Sequence, residues 1–267
     1  MSDARCDELL AWALPQLGLR WAGFRRVKRQ VCRRVRARIA ELALADERAY
    51  RAFLASHPGE WPVLEAMCGI TISRFYRDRA VFDCLRQRVL PALVRRAADP
   101  LRVWSAGCAS GEEPYTIALI WELELAVSRP GLAFQVLATD SNPRLLERAA
   151  HACYRHSSLR ELPREWIARS FTQRGDAWCL DPSLRRSVTL ETQDLRRTLP
   201  PGQFQLILCR NLAFSYFDAA EQRRVLDGMI ERLSPGGHLV LGQREQLPEP
   251  SELVRLAECE LIYRRAD

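Results

Sequence analysis

Several kinds of segment are missing from this sequence of 267 residues. No apolar run approaches the roughly 18–20 residues that a membrane-spanning helix needs, so we expect no membrane insertion. The first residues include several acids and are not followed by an apolar stretch, which argues against a signal peptide and favours a cytoplasmic protein. The 13 glycines and 15 prolines are too few for a collagen-like or low-complexity chain.

Cysteine and histidine form no metal-binding pattern. Nine cysteines are present, but no two lie within four residues of each other, so C-x-x-C zinc and redox motifs are absent. We interpret the cysteines as buried thiols that act as small apolar side chains. None of the four histidines falls in a recognisable motif, and the sequence predicts no metal site.

Lysine is almost absent, and the positive charge is concentrated towards one end. Lys28 is the only lysine among 40 basic residues. Residues 1–98 contain 19 basic and 10 acidic residues, whereas residues 99–267 contain 21 and 23. The arginines have no interleaved aromatic residues or binding motif that would indicate nucleic acid. They form either a solvated helix face or a surface for an acidic partner.

The hydrophobic pattern changes along the chain and predicts two domains. Up to about residue 90, apolar residues recur at helical spacings of three and four, most clearly over 21–42. Beyond that point short apolar runs alternate with helical patterns, which predicts a parallel sheet in an α/β fold. The predicted strands are 101–106, 134–140, 188–193, 204–211, 238–243 and, at an edge, 259–265. We therefore assign residues 1–90 to a helical domain and 91–267 to an α/β domain.

One connection in the second domain is too long for a single crossover helix. Asp140 ends a predicted strand, and the next strand begins 48 residues later, at Val188. Within this connection a short apolar run, 178–180, is followed by a turn at Asp181 and Pro182. We predict an inserted antiparallel β-subdomain at about 154–187.

A glycine-containing turn, GCASGEE (107–113), follows the first predicted strand. Ligands of open α/β sheets bind at the carboxyl ends of the strands, and glycine lets the backbone approach them closely. The phosphate-binding patterns G-x-G-x-x-G and G-x-x-x-x-G-K-[ST] are absent, and two carboxylates stand where a phosphate needs free amides. S-adenosylmethionine, a cationic ligand without phosphates, fits better; an NAD-type ligand or an empty site is the alternative. Asp140 would then bind ribose hydroxyls.

Each residue of this turn also has a purely structural interpretation. Gly107 and Gly111 suit a tight turn, and Glu112 and Glu113 suit the first turn of a helix. Asp140 suits a helix cap. Their joint occurrence at strand ends favours a ligand site.

Four segments resemble, in order and spacing, motifs of the CheR family, S-adenosylmethionine-dependent methyltransferases that act on glutamate side chains of bacterial chemoreceptors. The segments are ITISRFYRD (70–78), WSAGCASGEEPYTIAL (104–119), LATDSNPRLLERAAHACYR (137–155) and LILCRNLAFSYFD (206–218). The resemblance runs from about residue 15 to the end. It implies a Rossmann-like class I methyltransferase fold, with a small all-helical N-terminal domain and an inserted antiparallel β-subdomain.

The resemblance also implies roles for individual residues. Arg77 and Tyr216 would be catalytic, because they would orient the acceptor carboxylate and its approach to the methyl group. The cofactor-binding residues would be Thr71, Ser73, Arg77, Glu113, Asp140, Asp194, Leu195, Cys209, Arg210 and Asn211. An ionised glutamate can attack a sulfonium methyl group directly, so catalysis would need positioning and electrostatics but no general base. A basic helix would face the acidic helical substrate, the cytoplasmic domain of a chemoreceptor, through Arg25, Arg29, Arg33 and Arg36.

Two motifs depart from the family pattern. Four residues rather than three separate Asn211 from Tyr216, and Gly242-Gln-Arg-Glu245 stands in place of Gly-His-Ser-Glu. These departures concern the acceptor side of the site. Two alternatives therefore stand beside a receptor-glutamate methyltransferase: a methyltransferase with another protein or small-molecule acceptor, and a non-catalytic protein that binds the cofactor.

Overall fold

The computed structural model describes residues 3–97, 100–249 and 251–267, which divide into two compact units. The first unit runs to Thr71 and includes 215–222; the second contains 72–214 and 223–267. The boundary expected at residue 90 thus differs from the division at residue 71. The difference arises because Phe82 and Leu93 belong to the same hydrophobic core as Leu101, in the second unit.

The first unit is helical. Its helices are α1 (Asp3–Ala13), α2 (Trp21–Phe24), α3 (Lys28–Glu41), α4 (Glu47–Ser56) and α5 (Trp61–Cys68). The apolar residues of α3 that the sequence spacing placed on one face, Val31, Val35 and Ile39, are buried. The continuous helix expected over 21–42 is interrupted by a turn at 25–27.

A segment from much later in the sequence, 215–222, completes the first unit. Leu19 forms an isolated antiparallel bridge with Phe217, and the Arg20 amide donates to the Tyr216 carbonyl at 2.8 Å. A Cβ atom added to Gly23 would lie 2.1 Å from the Ser215 carbonyl oxygen. Glycine is therefore required where these two chain segments meet.

Ten strands form two sheets in the described part of the second unit. They are β1 (Leu101–Ala106), β2 (Phe134–Asp140), β3 (Cys153–Arg155), β4 (Phe171–Arg174), β5 (Ala177–Leu180), β6 (Val188–Thr192), β7 (Phe204–Cys209), β8 (Leu233–Leu241), β9 (Val254–Leu256) and β10 (Cys259–Arg264). The main sheet has the order β6-β2-β1-β7-β8-β10-β9 and is parallel except at β10. The edge position expected for 259–265 is wrong, because β9, too short to recognise in the sequence, pairs with its outer side.

The other α-helices precede these strands or lie between them along the chain. They are α6 (Arg79–Cys84), α7 (Leu90–Arg96), α8 (Glu112–Ile120), α9 (Pro143–His151), α10 (His156–Leu159), α11 (Arg164–Ser170), α12 (Pro182–Arg185), α13 (Ala213–Tyr216) and α14 (Ala219–Arg232). β1 and β7 are neighbours in the sheet although the chain visits β2 and β6 between them. This is the topological switch point at which doubly wound sheets bind ligands. The α/β, Rossmann-like fold class is confirmed.

The smaller sheet is antiparallel, in the order β3-β5-β4, and confirms the inserted antiparallel β-subdomain. The ring of Phe75 packs edge-on against Tyr154 and Phe171, at centroid distances of 4.8 and 5.4 Å. The subdomain therefore anchors the segment that carries Ser73 and Arg77.

Six of the nine cysteines form disulfide bonds, so the interpretation of all nine as buried thiols is wrong. The pairs are Cys6–Cys32, Cys84–Cys259 and Cys153–Cys179. Cys68, Cys108 and Cys209 are free and buried. Spacing along the chain could not show the pairs, because the fold brings the partners together: Cys153 faces Cys179 across two antiparallel strands.

The described part of the chain has neither a helix suited to a membrane nor a cluster of metal-binding side chains. None of its helices combines the length and the apolar character that crossing a bilayer requires. Its His, Cys, Asp and Glu side chains form no group of three or more that could hold a metal ion.

Candidate active site

The turn after β1 is shaped by two glycines in the left-handed region, Gly107 at φ +81° and Gly111 at φ +91°. The amides of Gly107 and Cys108 both donate to the Thr139 carbonyl, at 2.7 and 2.9 Å, which ties the turn to the end of β2. A Cβ atom on Gly107 would lie 2.3 Å from Leu212 Cδ2, and one on Gly111 would lie 2.8 Å from the Tyr115 ring. Both positions therefore need glycine, for conformation and for space.

Asp140 ends β2 beside this turn. Its Oδ2 accepts from the Ala109 amide and its Oδ1 from the Asn142 amide, both at 2.9 Å. Burial raises the pKa of Asp140 above its ordinary value, and these two backbone hydrogen bonds oppose the increase. Each carboxylate oxygen keeps a further lone pair, so Asp140 can still accept hydrogen bonds from ligand hydroxyls.

Arg210 lies just beyond β7 and is the centre of a buried ion-pair network. Its side chain is 2% exposed and bonds Glu113 Oε2 at 3.0 Å and Asp78 Oδ2 at 2.7 Å. Nη2 also donates to the Arg77 carbonyl at 2.9 Å. Ser105 donates to the other Glu113 oxygen at 2.8 Å. The network thus joins β1, α8, β7 and the Arg77–Asp78 segment. Neither Asp78 nor Ser105 was singled out in the sequence.

The segment before α6 carries two of the expected site residues, Ser73 and Arg77, and both are half-buried. The Arg77 guanidinium donates to the carbonyl of Ile72. Asp78 has a left-handed backbone, at φ +63°, where it meets Arg210. Thr71 and Tyr216 belong to the first unit, in which the Tyr216 ring packs against Phe24 at 4.9 Å.

Asp194 and Leu195 follow β6. The Asp194 carboxylate accepts from the side chain of Arg196, at 3.1 Å from Nε and 2.8 Å from Nη2. Burial acts to raise the pKa of Asp194, but the hydrogen bonds from Arg196 outweigh it and the pKa lies below its ordinary value. Leu195 is buried, and its carbonyl accepts from Arg224 at 2.7 Å.

The end of β7 carries Cys209, and Asn211 follows Arg210. Cys209 is fully buried, and burial raises the pKa of its thiol well above the ordinary value. Asn211 has a left-handed backbone, at φ +58°. Its amide and that of Leu212 donate to Glu245, at 2.7 and 3.0 Å. The sequence did not predict that Glu245 bonds these amides. The retained spacing of Gly242 and Glu245 in the motif was the signal that could have shown it.

The groups at this edge of the sheet suit a cationic ligand. The carboxylates of Asp140, Glu113 and Asp194 follow neighbouring strands, and the glycine turn offers backbone without side chains. S-adenosylmethionine carries a sulfonium, an ammonium and two ribose hydroxyls, each of which a carboxylate can stabilise or bind. A dinucleotide would instead place its pyrophosphate against acidic residues.

Comparison with known proteins identifies the family. A family model described as CheR methyltransferase, SAM binding domain, matches residues 71–262. The chain belongs to the CheR methyltransferase family. This CheR methyltransferase is accordingly dependent on S-adenosylmethionine.

Curated relatives agree with this assignment. The chemotaxis protein methyltransferase of Listeria monocytogenes is 34% identical over 183 residues, which cover 68% of each chain. The probable chemotaxis protein methyltransferase of Rhizobium etli is 32% identical over 80% of this chain and 82% of the relative. Among solved structures, the N-methyltransferase NodS from Bradyrhizobium japonicum in complex with S-adenosyl-l-homocysteine aligns with a TM-score of 0.35. The alignment has 18% identity and covers 62% of this chain and 63% of NodS.

Proposed function

We propose that this CheR methyltransferase transfers the methyl group of S-adenosylmethionine to glutamate side chains of a chemoreceptor and forms methyl esters. The observation that carries the proposal is the carboxylate-lined edge of β1, β2 and β6 beside the glycine turn, within the segment that matches the family. The names of the relatives, chemotaxis protein methyltransferases, support the acceptor.

In the proposed cofactor site, Asp140 binds the ribose hydroxyls and Glu113 binds the ammonium group. Glu113 is 14% exposed, and its carboxylate keeps lone pairs beyond those used by Arg210 and Ser105. Asp194 and Leu195 flank the adenine, and Ser73 and Asn211 supply further polar contacts. The buried Cys209 side chain contributes through its backbone alone. The roles of Thr71 and Tyr216 stay predictions of the family resemblance.

Arg210 serves this site indirectly. Its guanidinium nitrogens Nη1 and Nη2 are used by Glu113, Asp78 and the Arg77 carbonyl. We therefore assign it to holding Glu113 and the Arg77 backbone in place, rather than to direct contact with the cofactor.

The chemistry needs orientation more than proton transfer. When bound, the cofactor would supply an electrophilic methyl group, and the S–CH3 bond that breaks would leave S-adenosylhomocysteine as the neutral thioether. The acceptor glutamate is ionised at neutral pH and is itself the nucleophile, so no protein base is required. Arg77 has guanidinium N–H groups beyond the one bonded to Ile72, and these can hold the acceptor carboxylate. Orientation of this kind supplies much of the rate enhancement in reactions without acid–base steps.

The acidic substrate is proposed to bind the exposed arginines Arg25, Arg29 and Arg33, at the start of α3 and just before it. Within the described ranges, none of these three arginines forms an ion pair. Arg36, predicted for the same surface, lies 3.6 Å from the buried carboxylate of Glu47. A row of unpaired guanidinium groups attracts an acidic helix and accelerates its association.

A second acceptor class is favoured by one observation, the four-residue spacing between Asn211 and Tyr216. A different tyrosine position would suit a different protein or a small carboxylate. Incubation with radiolabelled cofactor distinguishes these cases. The proposal predicts base-labile label on a receptor cytoplasmic fragment, and none on a fragment whose acceptor glutamates are replaced by glutamine.

Calorimetric titration supplies the control for that experiment. Wild-type protein is expected to bind S-adenosylhomocysteine, and Asp140→Ala to lose that binding while it remains folded. Binding without turnover on any acceptor would establish the non-catalytic alternative. If folded wild-type protein does not bind S-adenosylhomocysteine, both proposed methyltransferase functions are contradicted.

A further inference from the structure

We infer that Glu245 is a positioning residue for methyl transfer: its carboxylate fixes the loop 210–212, which supports the cofactor site. The inference rests on the proposed cofactor site. It concerns a residue that would not touch the cofactor itself.

The carboxylate of Glu245 accepts hydrogen bonds from three backbone amides of two chain segments. Glu245 is 3% exposed. Its Oε2 accepts from the amides of Asn211 and Gly242, both at 2.7 Å, and its Oε1 accepts from the amide of Leu212 at 3.0 Å. Hydrogen bonds to an ionised acceptor are about twice as strong as neutral ones. The ends of β7 and β8 are therefore tied through one side chain.

The backbone held in this way packs closely against the second segment. Asn211 lies at φ +58°, in the left-handed region that asparagine adopts more readily than most residues other than glycine. A Cβ atom on Gly242 would lie 2.8 Å from the Asn211 amide nitrogen and from its side chain. The two segments are thus in direct contact, and a small movement of one must displace the other.

The loop 210–212 connects this contact to the site. Arg210 carries the ion pairs with Glu113 and Asp78 and the bond to the Arg77 carbonyl. Leu212 fills the space above Gly107, where a Cβ atom would lie 2.3 Å from its Cδ2. Movement of the loop would therefore displace both the glycine turn and the segment that carries Arg77.

The same contacts explain the departure from the family motif. Gly242 and Glu245 are buried and form a turn in which the Glu245 amide donates to the Gly242 carbonyl at 3.0 Å. Gln243 and Arg244, the two residues that differ from the family pattern, are exposed. The motif keeps the residues that these hydrogen bonds need and varies at the other two.

The test compares Glu245→Gln with Glu60→Gln. Glutamine keeps the shape but turns an NH₂ group towards one of the three amides, so at least one charge-assisted hydrogen bond is lost. Glu60 is the matched control, since it is a buried carboxylate of the first unit that accepts from Arg38 and Tyr50. Both variants are expected to have lowered melting temperatures.

The two variants should differ in cofactor affinity. Glu245→Gln is expected to weaken S-adenosylhomocysteine binding about tenfold, the loss expected for one charge-assisted hydrogen bond, and Glu60→Gln to leave it unchanged. The kcat with saturating cofactor should also fall in Glu245→Gln. Equal affinities of Glu245→Gln and wild type would overturn the inference, as would an equal loss in Glu60→Gln.

Hydrogen exchange provides a second measurement that needs no acceptor, and its wild-type part needs no variant. In the wild type the amides of Asn211, Leu212 and Gly242 should be protected, and in Glu245→Gln they should exchange faster than other loop amides. Unprotected wild-type amides would overturn the inference. If the wild type binds no cofactor but these amides behave as expected, the proposed function fails while the positioning of the loop stands.

Discussion

The guanidinium of Arg210 is shared between the carboxylates of Glu113 and Asp78, and it packs over the Phe82 ring at 5.0 Å. The family motif predicted that Arg210 binds the cofactor; the fold shows that its side chain is buried and bonded to protein groups. Removing one member of a buried ion pair is costly because it leaves an uncompensated charge.

Replacement of Arg210 by lysine tests this role. Lysine keeps the charge but cannot bond two carboxylates and a carbonyl in the same fork. We expect Arg210→Lys to lower the free energy of unfolding by about 2 kcal/mol and to weaken S-adenosylhomocysteine binding. Arg96→Lys is the control, because the side chain of Arg96 is 61% exposed. This variant should change the free energy of unfolding by less than about 0.5 kcal/mol. Unchanged stability and affinity in Arg210→Lys would contradict the role.

His238, in β8, predicts a pH dependence of stability. Burial, with the nearby charges of Arg264 and Arg96, lowers the pKa of His238 to about 4. The unfolded chain, with a pKa near 6.5, binds more protons than the folded protein between these values. The contribution of neutral His238 to the free energy of unfolding is therefore fully present above about pH 6.5. It is lost as the pH falls towards 4, and the total loss is up to about 3 kcal/mol. Urea titrations at several pH values measure it, and an equal decline in His238→Gln would contradict the assignment.

At the level of helices and strands, the spacing of apolar residues was sufficient to predict most of the elements. It was insufficient for elements that depend on contacts with residues distant in the sequence. The strand β9 has only three residues, and its pairing with β10 depends on the completed sheet. The turn that separates α2 from α3 interrupts no apolar spacing, so the sequence showed one helix. The disulfide pairs joined positions up to 175 residues apart.

The disulfide bonds can be counted chemically. Alkylation of the denatured protein without reductant should modify three cysteines, Cys68, Cys108 and Cys209, and alkylation after reduction should modify all nine. Reduction should also lower stability, by about 3 kcal/mol for each cross-link, since the unfolded chain gains freedom. Modification of nine thiols without reductant would contradict the pairing.

Helix α3 gives a prediction about the substrate. Arg33→Glu reverses an exposed charge, so we expect a roughly tenfold higher KM for an acidic receptor fragment at low salt, and a smaller difference at high salt. Cofactor affinity should not change. Arg48→Glu, an exposed arginine on α4 of the same unit, is the charge-matched control. An equal KM increase in both variants would show a general effect of net charge instead of a docking surface.

In the whole molecule, the basic segment does not coincide with the first compact unit. Residues 1–71 contain 12 basic and 8 acidic residues, whereas 72–98, which belong to the second unit, contain 7 and 2. The sequence indicated the carboxylate-lined edge because Asp140 ends a predicted strand, and Glu113 and Asp194 lie in the segments that follow two other predicted strands. It could not show that Arg210 and Glu245 support that edge from within, since their partners are distant in sequence.

The proposed methyl acceptor is a glutamate carboxylate. Tandem mass spectrometry of a receptor cytoplasmic fragment, incubated with the protein and S-adenosylmethionine, identifies the acceptor atom. We expect methyl groups on glutamate side chains, removed by mild base and absent when Asp140→Ala replaces the wild type. Base-stable methyl groups on nitrogen, or no methylation by protein that binds the cofactor, would contradict this proposal.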